Sequence, residues 1–390
     1  MNIVYITQWF SYIGGGGEVQ FINLINAMAN KGHNVHVICQ MLSNFEISND
    51  IENLHIHRVK PIIKYERVNF NQNMRFIINA IRMGSELIKE ERMDIIHVNN
   101  FSPVIVGSIL SKLFNIPLIK TIHAVYCTSP DFWRKWSSQT NASSVLRIVG
   151  PLFEKITIRL HADIIHAVSH ATKKDIIKVN PKSKITVIPN GVDLSNYDNL
   201  KFNIDYQKYV VFIGRLVVNK NLDTVISSFK EVISTIPNAK LIVIGSGPKM
   251  GEWKKMVSYM GLDSTIEFTG YISQKDKMDL LSKCSALVLP STVEGQPIAA
   301  LEAFAMSKPL LVSDIEPSYE IVTEGVDGFI LPTHDARKWA EKIIFLLSRK
   351  HVCERMGREG RLKVEKIYNL ERQLDNMEST YHKLLTLREL

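Results

Sequence analysis

Nothing in this chain of 390 residues marks it for export, for a membrane span or for a metal. Its four cysteines, Cys39, Cys127, Cys284 and Cys353, lie far apart and form no C-x-x-C. That excludes a disulfide framework and a cysteine zinc site, and it points to the reducing cytoplasm. No apolar run approaches the roughly 18 to 20 residues of a spanning helix. Met1 leads directly into a short apolar strand pattern, with no basic n-region or cleavage site. The expectation is a protein that neither spans a membrane nor is secreted. Internal repeats and low-complexity segments are absent. His97, His161, His166 and His170 show no H-E-x-x-H or other ligand spacing, and there is no Asp-x-Asp triplet. The expectation is therefore no metal and no cofactor.

What is present is the composition of a soluble globular protein, 45% apolar and 22% charged, long enough for two to three domains. The net charge of +8 is unevenly placed. Residues 1–100 carry 9 basic and 9 acidic side chains, residues 101–195 carry 12 and 5, and residues 196–390 carry 26 and 25. One segment thus holds nearly all the excess, a field that attracts phosphate groups, anionic headgroups or nucleic acid.

Short apolar, β-branched runs alternate with helical patterns. The runs are Ile3 to Thr7, Val35 to Cys39, Ile95 to Val98, Leu118 to Ile122, Ile164 to Val168, Val210 to Ile213, Leu241 to Ile244, Ile266 to Thr269, Ala286 to Leu289 and Leu310 to Val312. Strands that are apolar throughout and separated by helix-length segments belong to parallel sheets covered on both faces, so the fold class is α/β. About ten strands exceed one doubly wound sheet, and two Rossmann-like domains in tandem fit better. The turn-rich stretch after Ile188-Pro189-Asn190-Gly191 places the boundary near residue 195. The expected division is 1–195, 196–370 and a closing helix over 371–390 that packs back on the first domain.

In such domains ligands meet the loops after the strands, on either side of a cleft. Gly14-Gly15-Gly16-Gly17-Glu18 follows the first strand and opens the first helix; it is either a phosphate-contacting loop or a plain turn. Gly214-Arg215 with Lys220 ends the first strand of the second domain, where a guanidinium fork and an ammonium suit a diphosphate. Gly245-Ser246-Gly247 ends another strand, where a small loop admits a base or ribose. The most informative stretch runs from Pro290 to Ala303. Glu294 lies in the loop after an apolar strand, and Glu302 lies inside the next helix, on an apolar surface where carboxylates are rare unless paired. His123 follows the strand Leu118 to Ile122.

Taken together, these residues resemble the retaining, nucleotide-sugar-dependent glycosyltransferases of the GT-B fold, family 4, over nearly the whole chain. The resemblance implies that Gly16 with Arg215 and Lys220 binds the donor diphosphate, that Glu302 binds the ribose, and that Glu294 lies beside the donor sugar. The full donor set it implies is Gly15, Gly16, Arg215, Lys220, Gly245, Gly247, Tyr271, Glu294, Gly295, Gln296, Pro297, Ile298 and Glu302. His123 matches the family's first-domain histidine near the reacting sugar, so Glu294, His123, Arg215 and Lys220 are the expected catalytic group. Gln296 and Ile298 depart from the residues usual after Glu-Gly, which bears on the donor sugar rather than the reaction.

The basic excess falls in the expected acceptor domain. Phe132, Trp133, Arg134, Lys135 and Trp136, followed by Leu146, Val149, Leu152, Phe153 and Ile156 with Lys155 and Arg159, combine rings and cations as a membrane interface does; the alternative is ordinary helix packing. The expected partners are a nucleotide-sugar donor, a lipid-linked, glycolipid or glycan acceptor and an anionic membrane surface. No nucleic-acid motif is recognised. A sugar-nucleotide epimerase or phosphorylase of the same architecture, and a basic binding module without activity, are the rival classes.

Overall fold

The structure is a computed structural model that describes residues 1–12, 15–43, 51–63, 70–129, 132–133, 144–198 and 207–389. The chain divides into two units, one comprising Met1–Thr128, Val149–Asn190 and Glu371–Leu390, the other Ser129–Ile148 and Gly191–Leu370.

The first unit is built in the order β1 (Asn2–Ile6), α1 (Gly16–Asn30), β2 (Asn34–Leu42), β3 (Leu54–Ile63), α2 (Phe70–Glu90), β4 (Ile95–Val98), α3 (Ser102–Phe114), β5 (Leu118–Ile122), α4 (Ser144–Arg159), β6 (Ile164–Ala167), α5 (His170–Val179) and β7 (Ile185–Val187). Its strands form one parallel sheet in the order β3-β2-β1-β4-β5-β6-β7. The central strands are buried along their whole length, as apolar runs such as Ile3 to Ile6 and Ile95 to Val98 require.

The second unit follows with the short α6 (Ser195–Asp198), then β8 (Tyr209–Ile213), α7 (Leu222–Thr235), β9 (Lys240–Ile244), α8 (Met250–Tyr259), β10 (Ile266–Gly270), α9 (Gln274–Lys283), β11 (Ala286–Leu289), α10 (Ile298–Ala305), β12 (Leu310–Ser313), α11 (Glu316–Ile321), β13 (Gly328–Leu331), α12 (Ala336–Leu347) and α13 (Lys350–Ile367). Its parallel sheet runs β10-β9-β8-β11-β12-β13. One apolar layer joins Val210, Phe212 and Val243 to Phe229, Trp253 and Trp339; the other joins Val211 and Leu287 to Leu301, Phe304 and Val364. Helix α10 is clamped from behind by α13: a Cβ on Gly360 would lie 2.2 Å from the Phe304 ring, and one on Gly357 1.8 Å from Ser307 O. Only glycine lets the two helices come this close.

The last helix, α14 (Leu370–Glu389), belongs with the first unit from Glu371 onward. A buried chain of hydrogen bonds ties it there. Tyr5 Oη lies 2.8 Å from Tyr381 Oη, Tyr381 Oη 2.6 Å from His97 Nδ1, His97 Nε2 2.7 Å from Thr121 Oγ1, Thr121 Oγ1 2.9 Å from His166 Nδ1, and His166 Nε2 2.7 Å from Ile188 O. Burial holds the His97 pKa well below its ordinary value and that of His166 down to about 4, so both rings are neutral. A carbonyl only accepts, so His166 Nε2 carries the proton; each further link is then fixed, back to Tyr5 donating to Tyr381. His97 and His166 are therefore structural. Lys120, also buried, ends α4: its ammonium donates to Thr157 O at 3.1 Å, Ile158 O at 2.7 Å and Leu160 O at 2.8 Å, and burial lowers its pKa to about 7.

Candidate active site

In the second unit, the residues singled out by sequence gather at the C-terminal ends of β8 and β11, neighbours in the sheet and its topological switch point. Arg215 follows β8 and is exposed, its guanidinium with no hydrogen-bond or ion-pair partner among the described residues. Lys220, whose Cε lies 3.6 Å from a Cβ built on Gly214, is ion-paired with Glu294. The two loops are sewn together: Thr292 N donates to Asn219 O at 2.8 Å and Asn219 Nδ2 to Val293 O at 3.3 Å. Asn221 is buried at φ 49° and donates to Pro290 O at 3.1 Å and Thr333 O at 2.8 Å, so it fixes the loops after β8, β11 and β13 to one another. Asn219 and Asn221 were not picked out by sequence reasoning. Their only signal is the asparagine spacing before a helix start, which any turn shares.

Glu302 lies on α10 and is paired with Lys277 Nζ of α9 at 2.7 Å, the two side chains 13% and 17% exposed. This supplies the partner that an acid on so apolar a helix requires. Tyr197 of α6 is buried nearby; burial raises its pKa and the Glu302 carboxylate adds to the rise. Gln296 is buried and Tyr271 exposed, while Gly295, Pro297 and Ile298 carry the loop into α10. Gly245 and Gly247 adopt φ 130° and 159°, and a Cβ would lie 2.1 Å from Gly214 O and 2.4 Å from Leu216 O. The packing of this loop against the loop after β8 accounts for both glycines.

In the first unit, Gly15 caps α1 and Gly16 begins it. A Cβ at Gly17 would lie 2.9 Å from Cγ and Cδ2 of His123, so the first turn of α1 rests on that ring. Both His123 ring nitrogens are buried without a hydrogen-bond partner among the described residues, and burial lowers its pKa to about 3. A neutral imidazole with two unsatisfied polar atoms is uncommon outside functional sites. Gly17 was read as part of a loop and not as a rest for this ring.

Of the aromatic and basic group, Trp133 packs edge-on against Phe132 at 5.8 Å; Arg134, Lys135 and Trp136 lie outside the described residues, as does Gly14. On α4, Val149, Leu152 and Ile156 are 39%, 55% and 48% exposed, flanked by exposed Lys155 and Arg159. Among the described residues no group of three or more His, Cys, Asp or Glu side chains is placed to hold a metal ion, and no helix is long and apolar enough to cross a membrane.

Two Rossmann-like units of parallel strands define the GT-B fold, and sucrose-phosphate synthase from Thermosynechococcus elongatus matches it with a TM-score of 0.83 at 19% identity, over 99% of both chains. The family model described as Glycosyltransferase Family 4 matches residues 14–196, and that described as Glycosyl transferases group 1 matches residues 199–363. The chain belongs to this family of glycosyltransferases. An uncharacterized glycosyltransferase of Methanocaldococcus jannaschii is 26% identical over 98% of this chain and 99% of its own. The UDP-Gal:alpha-D-GlcNAc-diphosphoundecaprenol alpha-1,3-galactosyltransferase of Escherichia coli is 28% identical over 80% of each. A basic binding module without activity is thereby set aside.

Proposed function

We propose that the protein is a retaining, metal-independent hexosyltransferase that moves a sugar from a UDP- or GDP-sugar to a hydroxyl of a lipid-linked, glycolipid or glycan acceptor at the cytoplasmic face of a membrane. The observation that carries the donor half is the cluster after β8 and β11: a free guanidinium and the Lys220–Glu294 pair on loops locked to one another, with the lysine-paired Glu302 on α10. Arg215 and Lys220 meet the diphosphate, Glu302 accepts from the ribose hydroxyls, and Gly16 and the backbone N–H groups of Gln296 and Ile298 face phosphate or sugar. His123 stands beside the reacting sugar.

In the reaction the bond from the sugar's anomeric carbon to the phosphate oxygen breaks while that carbon bonds to the acceptor oxygen on the same face. The acceptor's proton passes to the departing phosphate oxygen. Negative charge grows on the nucleoside diphosphate as it leaves, and the cations of Arg215 and Lys220 stabilise it.

The acceptor half rests on the exposed apolar stripe of α4 with Lys155 and Arg159 beside it, in the segment that holds the positive excess. Apolar side chains at i, i+3 and i+7 next to cations suit an anionic membrane surface. The Escherichia coli relative, whose name places its acceptor on a lipid diphosphate, supports the same reading. The test is transfer of labelled sugar from UDP- and GDP-sugars into a lipid extract, together with co-sedimentation on anionic vesicles at low salt. Leu152→Glu with Ile156→Glu should abolish vesicle binding and change stability by less than about 0.5 kcal/mol per site, since both positions are exposed. Vesicle binding that survives the double variant contradicts the acceptor half.

A further inference from the structure

Both carboxylates of the Glu294 and Glu302 pair are already engaged by lysines. The Lys220–Glu294 pair has side chains only 16% and 14% exposed. It is built rather than incidental, because Asn219, Thr292 and Asn221 fix the two loops that present it. The Arg215 guanidinium, by contrast, is exposed and has no partner among the described residues. Of the two cations assigned to the diphosphate, one is free and the other is held by the carboxylate assigned to the sugar.

We propose that Lys220 and Glu294 form a latch that the donor exchanges: the diphosphate draws Lys220 away from Glu294, and the released carboxylate becomes an acceptor for hydroxyls of the donor sugar. This rests on the donor-site reading above. Arg215 receives the diphosphate first, since it has no bond to break. Lys220 then trades one enclosed ion pair for another, so its charge is never left unpaired in a partly desolvated site, where that is most costly. A free hexose finds Glu294 occupied and is not recognised. The pair thereby makes sugar recognition conditional on the diphosphate and selects activated donors over free sugars.

The latch has a counter-intuitive consequence. A nucleoside diphosphate carries no sugar, so for this ligand Glu294 is only a competitor for Lys220. The experiment is calorimetric titration of the full chain with UDP, GDP and ADP, and with a sugar of each nucleotide, comparing wild type, Glu294→Gln, Lys220→Met and the double variant, with melting curves for each. Glu294→Gln should bind the preferred diphosphate about 3- to 10-fold more tightly, as expected for releasing a half-buried lysine from its pair, and should lose any preference for the nucleotide sugar over the bare nucleotide. In the Lys220→Met background the gain should vanish, which separates a latch from a general relief of negative charge. Should Glu294→Gln melt early, Glu294→Asp, with its shorter reach, should show the same tighter binding. Unchanged or weaker binding by a folded Glu294 variant, or a gain that persists without Lys220, overturns the latch and leaves the donor site standing. Failure of the wild type to bind any of the three overturns both.

Discussion

A methyl group at position 17 would lie 2.9 Å from two atoms of the His123 ring, so the ring's place depends on a hydrogen at Gly17. Gly17→Ala should leave the fold intact, because the position is helical, yet displace the ring and lower turnover roughly 10- to 100-fold, as ångström-scale misplacement does; steady-state kinetics beside a melting curve checks this. At this scale the sequence was informative about chemistry and silent about pairing. Arg215, Lys220, Glu294 and Glu302 are legible because each is a charge at a strand end or on an apolar helix. Lys277 is not, since Lys275, Lys277 and Lys283 are equally plausible members of a solvated helix until the packing of α9 selects the one that meets Glu302. His97 and His166 read as lone histidines; the sheet register sets His166 opposite Thr121 and His97 opposite Ile119, two residues before Thr121 on the same face.

Among elements, the ten strands read from apolar runs all appear, and the three not anticipated, β3, β7 and β13, are edge strands. An edge strand is not enclosed on both sides, so its sequence need not be apolar throughout: β3 reads Leu-His-Ile-His-Arg-Val-Lys-Pro-Ile-Ile, and β7 is three residues long. Helix α14 has the clearest element-level test. Tyr381 joins it to His97 and Tyr5 in the buried chain. Tyr381→Phe removes one hydroxyl and leaves His97 Nδ1 without its donor, at a cost of about 1–3 kcal/mol. Urea unfolding should show a lower midpoint with an unchanged slope. An unaltered midpoint would mean that α14 is held by its other contacts, the pairs of Lys31 and His33 with Asp375 and Glu378 among them.

For the whole molecule, the two units differ in how they meet acid. The first unit contains the buried or half-buried histidines: burial holds His36 at about 4, His123 at about 3 and His166 at about 4, with His97 well below its ordinary value. The second has only His334 and His351, both exposed. An unfolded histidine takes up its proton near pH 6.5, whereas these folded ones do so only several pH units lower, so the unfolded chain binds more protons in between. Their contribution leaves stability at its full value above about pH 6.5 and erodes it as pH falls towards 4. Hydrogen exchange at pH 5 should therefore show strands β1, β4 and β5 losing protection before β8, β11 and β12; equal loss would contradict this.

The donor site is the point on which the functional reading turns. It is tested most directly by a thermal-shift series of the purified protein with UDP, GDP, ADP and their sugars, with and without EDTA, repeated on Glu302→Ala. A ligand at a hundred times its dissociation constant stabilises by about 2.7 kcal/mol. The prediction is a shift with one nucleotide class, insensitive to EDTA and reduced in the variant. No shift with any nucleotide, or one that EDTA abolishes or that Glu302→Ala leaves intact, would contradict a metal-independent donor site built from Arg215, Lys220, Glu294 and Glu302.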